Sequence, residues 1–248
     1  MIDFFHATVY TPLYNMLIGI LDIGSWVDVG MAVILLTAIV KTALFPLSRK
    51  ASRTQRMMKD LEEPMKEIRE KYKDDRETQG RKMLELYKDK GVNPFSSIIV
   101  IFIQIPVIFS LYFIFLRGGL PVINMELMYS FVPTPETVNM MFVGLIDMAS
   151  RNWPLALVAG VTQFYQSKLA MPELGPRKTD ATFQEDFARS MQMQMKFMLP
   201  LIVAGVAYWA SAAVALYWIT SNIFAIGQEL YVKREHEQEQ KSTSDTTT

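Results

Sequence analysis

The sequence predicts an all-α membrane protein: five transmembrane helices around a hydrophilic groove open to the cytosol, a cytoplasmic helical hairpin, and an N-terminal amphipathic helix in the interface. Three observations predict it. Half of the 248 residues are apolar while one-fifth are charged, a mixture that soluble globular domains rarely show. The charges are segregated, crowding between Leu47 and Val92 with long apolar runs on either side. Those runs can supply the roughly 20 helical residues that each crossing of about 30 Å of hydrocarbon requires.

Residues 1–26 contain "FFHATVYTPLYNMLIGILD", whose Phe4, Phe5, Tyr10, Leu13, Leu17 and Leu21 suggest an extracytoplasmic amphipathic helix resting in the interface. The first span is placed at 27–46, within which "GMAVILLTAIVKTALFPLS" carries Lys41. The block 47–92 reads as a helical hairpin. Met58, Leu61, Met65, Ile68 and Tyr72 recur at alternating spacings of three and four, "KDDRETQG" breaks the pattern, and Met83, Leu86 and Tyr87 resume it. Pro64 is expected to bend the first arm, because it lacks a backbone donor and crowds the preceding turn.

The second span falls at 94–116, an extracytoplasmic loop at 117–152, the third span at 153–170 and a cytoplasmic loop at 171–194. "KFMLPLIVAGVAYWASAAVALYWITSNIFAIG" is too long for one crossing, and Trp209 with Ser211 puts an interfacial aromatic and a turn at its middle. It reads as a tight hairpin of spans 195–209 and 212–232, the short first arm implying tilt or a thinned bilayer. Residues 233–248 form a polar cytoplasmic tail.

Basic residues are retained in the cytoplasm. Arg and Lys crowd 47–92, and Lys168, Arg177, Lys178, Arg189 and Lys196 attend the loop after the third span, whereas 117–152 offers only Arg117 and Arg151. Five crossings of a bacterial plasma membrane, with the N-terminus outside and the C-terminus inside, satisfy all three loops.

Composition excludes several chemistries. Without cysteine there are no disulfides, thiol nucleophiles or thiolate metal sites. His6 and His236 lie near opposite ends, which makes a histidine metal or catalytic cluster improbable. No Lys or Arg precedes Lys41, so the N-terminus matches neither a cleavable signal nor a transit peptide. The zero net charge averages unlike regions and points to no nucleic-acid partner. A phosphate-cradling G-x-x-x-x-G-K-[ST] and an H-E-x-x-H are both missing, and "GLID" is a poor aspartyl-protease motif. The expectation is a protein without cofactor or catalytic site.

Lys41 raises the central functional question. A charge at mid-helix costs roughly 2.5–3.5 kcal/mol on insertion-derived scales, although a lysine so close to Pro46 can snorkel to the inner interface. Other polar residues share its depth: Thr37 one turn away, Gln104, the group Thr162, Gln163, Gln166 and Ser167, and the group Thr220, Ser221 and Asn222. Each alone is ordinary helix-joining chemistry worth about 0.6 kcal/mol. Collected in the cytoplasmic half beneath outer halves such as "VIFSLYFIFL" and "LALVAGV", they describe a water-accessible groove closed toward the exterior.

These stretches resemble the YidC family of membrane protein insertases, which includes mitochondrial and thylakoid relatives. The likeness is carried by "IVKTALFPLS", "EPMKEIREKYKDD", "MLELYKDKGVNPF", "IQIPVIFSLY", "GVTQFYQSKL" and "ALYWITSN", in that order, from about Tyr10 to Tyr231. The resemblance implies a five-helix core enclosing the groove, a mobile hairpin, and insertion of nascent membrane proteins into the phospholipid bilayer, alone or beside the Sec translocon. It implies substrate-groove roles for Lys41, Thr37, Gln104 and Gln163, and for Trp218 as the aromatic beside the substrate path. Lysine replaces the usual groove arginine, and being a compact, strongly hydrated charge it depends more on groove water than a guanidinium does. The tail "KREHEQEQKSTSDTTT" is less basic than the ribosome-docking extension of some members, leaving the ribosome a secondary partner. The outer loop is too short for the large extracytoplasmic domain of other members, so a short form is expected.

The implied mechanism needs no nucleotide. Lys41 holds client carboxylates, opposite charges about 4 Å apart gaining on the order of 4 kcal/mol at an effective dielectric near 20. Each central Leu, Ile or Phe of the client then adds about −0.3 to −0.6 kcal/mol. The main alternative is a small-solute transporter or channel using Lys41 as a charged site, but such sites usually come with partner carboxylates, and the spans hold none. An intramembrane enzyme and a passive scaffold are the remaining rivals. The methionines of "NMELMY", "NMMF" and "MQMQMKFM" fit ordinary packing better than adaptable client surfaces.

Overall fold

The computed structural model describes residues 5–92, 96–116, 120–170, 190 and 193–245. Almost all regular structure is helical. A π-helical turn, His6–Tyr10, leads into α1 (Thr11–Leu21), and α2 spans Val29–Ala43. Three polar helices follow: α3 (Phe45–Asp60), α4 (Glu62–Lys71) and α5 (Arg76–Asp89). Then come α6 (Ser96–Leu116), the two-residue strands β1 (Met141–Phe142) and β2 (Ile146–Asp147), and α7 (Trp153–Ala170). A second π-helical turn, Gln194–Met198, opens α8 (Leu199–Ala210), and α9 runs over Ala212–Asp245.

The chain divides into two compact units. Unit 1 comprises Met1–Ala43 and Gln104–Gln228, unit 2 Leu44–Ile103 and Glu229–Thr248. The core of unit 1 gathers Tyr14, Leu17 and Ile18 of α1, Val29, Ala32 and Val33 of α2, Leu111 and Ile114 of α6, and Ala212, Ala213 and Leu216 of α9. A second cluster joins Ala156 and Ala159 of α7, Val203 and Ala207 of α8, and Ala215 and Ile219 of α9. Small residues dominate it because helices without a hydrophobic drive between them associate by close packing. Gly160 shows how close: a Cβ there would stand 2.9 Å from the Ala204 Cβ and 3.1 Å from the Pro200 carbonyl oxygen.

The helix expected in the N-terminal segment is α1. Leu13, Tyr14, Asn15, Leu17, Ile18, Ile20 and Leu21 are all buried, so protein covers its apolar face. Asn15 donates to the Leu127 carbonyl (2.7 Å) and accepts from the Tyr129 amide (2.7 Å), while the Tyr14 hydroxyl accepts from the Asn124 amide (2.8 Å). Phe4 lies outside the described residues.

Loop 120–152 is ordered by similar contacts. β1 and β2 pair antiparallel, Met141 opposite Asp147 and Phe142 opposite Ile146. In their three-residue connection Val143 has φ 51° and Gly144 φ 72°, both left-handed, as the central residues of a type I′ turn require. The buried Asp28 carboxylate caps α2 by accepting from the Met31 amide (2.8 Å), and accepts from the Val143 amide (2.9 Å) as well. Carbonyls of Ser150 and Met148 accept from the Ala212 and Ala213 amides at 2.8 and 3.1 Å, satisfying donors that a helix N-terminus leaves unpaired.

Among the residues whose side chains are described, which in α6 begin at Ile105, no single helix is long and apolar enough to cross a membrane, although α2 and the first part of α3 are so together. The causes are local. Pro46 cannot continue the preceding helix, so a break at Leu44 leaves α2 with 15 residues, about 22 Å at 1.5 Å per residue. In α7 and α9 the runs Thr162–Ser167 and Thr220–Asn222 dilute the apolar stretch. Ser211, at φ −167° and ψ 164°, separates α8 from α9. The expected 195–209 span starts inside the π-helical turn Gln194–Met198, and the expected 212–232 span and much of the tail form one helix to Asp245. Loop 171–194 lies outside the described residues apart from Ser190, Met193 and Gln194.

In unit 2, Leu61, Met65 and Val92 pack with Met57, Met58, Met83, Leu86 and Tyr87. The first arm breaks at Leu61, three residues before Pro64, which thereby occupies the first turn of α4 where no amide donor is needed. Asp75 caps α5, accepting from the Thr78 amide (3.0 Å), and hydrogen bonding from the Thr78 hydroxyl, then its amide, holds the carboxyl below the usual range. The last part of α9 is tied to α3. Arg49 pairs with Glu235, Arg56 with Glu229 (2.9 Å), Ser52 donates to Glu229, and His236 Nε2 meets Asp60 Oδ2 at 2.9 Å. The Arg49 guanidinium keeps the Glu235 carboxyl below its ordinary range.

Candidate functional site

The polar residues expected at the groove lie on α2, α6, α7 and α9 of unit 1. On α2, Thr37 is buried and its hydroxyl donates to the Val33 carbonyl at 2.6 Å, closing the side chain onto its own helix. Lys41 follows one turn later on the same face and is half-buried. Gln104 lies in α6, and its side chain falls outside what is described.

α7 contributes the densest group. Gln163 is buried, and its Nε2 donates to Gln166 Oε1 at 3.0 Å and Ser167 Oγ at 3.3 Å. Thr162 turns its hydroxyl to the carbonyls of Val158 (2.9 Å) and Ala159 (3.0 Å). From α9 the buried Asn222 reaches across, its Nδ2 donating to Thr162 Oγ1 at 3.2 Å and to the Ala159 carbonyl at 3.4 Å. Ser221 is buried beside it, and Thr220 donates back to Leu216 at 2.9 Å. Trp218 is half-buried against the small-residue cluster of α7, α8 and α9.

The geometry thus joins α7 to α9 through Asn222 and Thr162, next in sequence to the expected Gln163, whereas Thr37 hydrogen-bonds within α2. Asn222 and Thr162 are among the polar residues expected at the groove's depth, though not among the five given substrate-groove roles. Their signal was the consecutive "TSN" in an apolar helix and the i, i+1 pair at Thr162–Gln163. Hydroxyls and amides of this kind can exchange internal hydrogen bonds for those of a visiting backbone, because each both donates and accepts. No group of three acidic or histidine side chains able to hold a metal occurs among the described residues.

A family model described as 60Kd inner membrane protein matches residues 21–240. Curated relatives include the membrane protein insertase YidC of Francisella tularensis subsp. novicida (strain U112) and the protein of the same name from subsp. tularensis (strain SCHU S4 / Schu 4). Each is 29% identical over 215 residues, covering 87% of this chain and 34% of the relative. The chain therefore spans about a third of the length of the curated relatives it matches. With the match running through every described helix from α2 to α8 and most of α9, the chain belongs to the 60Kd inner membrane protein family, the YidC family of membrane proteins.

Proposed function

We propose that the protein is a membrane insertase that lowers the barrier for placing client transmembrane segments and moving short hydrophilic tails across the bilayer. The observation that carries this reading is the hydrogen-bonded polar group of Asn222, Thr162, Gln163 and Ser167 on α7 and α9, three of them buried, beside a cluster of small apolar residues. A polar stretch entering hydrocarbon loses its water, each unsatisfied group costing several kcal/mol. A seam of exchangeable donors and acceptors offsets part of that cost.

In this reading Lys41, Thr37, Gln104, Gln163 and Trp218 line a groove open to the cytosol, and Lys41 attracts the carboxylates of a client tail. The topology is five spans with the N-terminus outside and the C-terminus inside. The partners are nascent membrane proteins and the phospholipid bilayer, with the ribosome and the Sec translocon as further ones. The relatives carry an insertase name, which supports this reading over a solute transporter using Lys41.

The test is a client series in reconstituted vesicles. Lys41→Arg keeps insertion, while Lys41→Ala slows clients with acidic N-tails about tenfold more than neutral ones, the factor that 1.4 kcal/mol of lost attraction produces. Equal activity of Lys41→Ala and the parent chain across the series sinks the proposal.

A further inference from the structure

One end of unit 1 carries an apolar surface that the groove reading leaves unused. In loop 120–152, Phe131 is 80% exposed and Leu145, at the hairpin turn, 83% exposed, with Val143 beside it also exposed. Trp26, two residues before Asp28, is 69% exposed. Soluble surfaces scatter such residues singly, whereas contiguous ones mark an interaction site.

The hydrogen bonds say at what level this surface sits. The Val143 amide is held by Asp28 at the start of α2, and the Ser150 and Met148 carbonyls hold the first amides of α9. Close to these positions in sequence, α7 begins at exposed Trp153 and α8 ends beside exposed Trp209. Tryptophan at helix ends marks the membrane–water boundary, where its ring meets lipid and its N–H meets water. The hairpin is therefore tethered to the helix termini that define this boundary.

Chemistry agrees with the level. No charged residue occurs from Thr137 to Ile146, and Glu136 and Asp147 border that stretch, with Glu126 and Arg151 farther out. From Trp153 onward α7 itself exposes Leu157, Val158 and Val161, apolar residues of the kind a membrane protein gives to lipid.

We propose that the tip of this loop, Phe131, Val143 and Leu145 with Trp26, is immersed in the headgroup–acyl boundary of the leaflet on that side, phospholipid being its ligand. The loop then fixes the depth of the α2, α7 and α9 termini. This rests on membership of a membrane-protein family and is independent of client insertion.

The chain contains no cysteine, so single labels can be placed at will. Leu145→Cys and Phe131→Cys carry a polarity-sensitive fluorophore in the full chain, reconstituted in phosphatidylethanolamine–phosphatidylglycerol vesicles with and without nitroxide-labelled phospholipid. Gly80→Cys on α5, where an added Cβ meets nothing, is the aqueous reference. Expected at both loop sites are blue-shifted emission, quenching by the nitroxide lipid and protection from iodide, with the reverse at Gly80→Cys. Iodide quenching without nitroxide quenching at either loop site overturns the proposal, as does protection from both quenchers, which reports a protein partner or a second copy.

Discussion

Asp28 satisfies two backbone amides at once, one in its own helix and one 115 residues away at Val143. Asp28→Ala leaves both donors short of an acceptor in a buried place, a loss of about 1–3 kcal/mol for each group left unpaired. The expected readout is a lower melting temperature in detergent, with Asp28→Asn recovering part of it through its single carbonyl oxygen. Val143 carries the opposite sign. A β-branched residue at φ 51° is strained, and Asn is the residue favoured before Gly in an I′ turn. Val143→Asn is expected to raise stability by on the order of 1 kcal/mol, and a fall in melting temperature contradicts the strain argument. Neither effect could be read along the sequence, because Asp28 and Val143 meet only through the fold.

The α7–α8 pair depends on a missing side chain. Because a Cβ at Gly160 meets the Ala204 methyl and the Pro200 carbonyl, Gly160→Ala is expected to cost about 1–3 kcal/mol by overpacking. Gly160→Leu is expected to separate the helices, as read by loss of crosslinking between cysteines placed on them; efficient crosslinking in that variant contradicts it. Which elements were legible follows the same logic of local versus distant causes. The break near Ser211 was legible because an aromatic and a polar residue interrupt a run too long for one crossing. The break at Leu44 falls two residues before Pro46, where the first span is expected to end, because the apolar run itself continues to Leu47. The extension of α9 to Asp245 has no apolar period. Its Glu229, Glu235 and His236 meet partners in α3, and those pairs become visible only in three dimensions.

At the scale of the molecule each of the two units has apolar clustering of its own. The residues that form the two cores of unit 1 include none from 53 to 88, so deleting Arg53 to Lys88 is expected to leave unit 1 folded and protected from protease in vesicles. Client insertion is expected to fall, by loss of delivery instead of loss of the polar seam. Unchanged insertion with intact protection reduces the hairpin to a spacer. The candidate site was legible to the extent that its polar residues stand out from apolar neighbours: Thr37, Gln163 and Asn222 are all buried. What joins them was not, because a hydrogen bond such as Asn222 to Thr162 depends on how α9 lies against α7.

The bonds from Asp28, Ser150 and Met148 act like rivets. Fastened there, the first turns of α2 and α9 keep a fixed spacing to the segment that leads into α7.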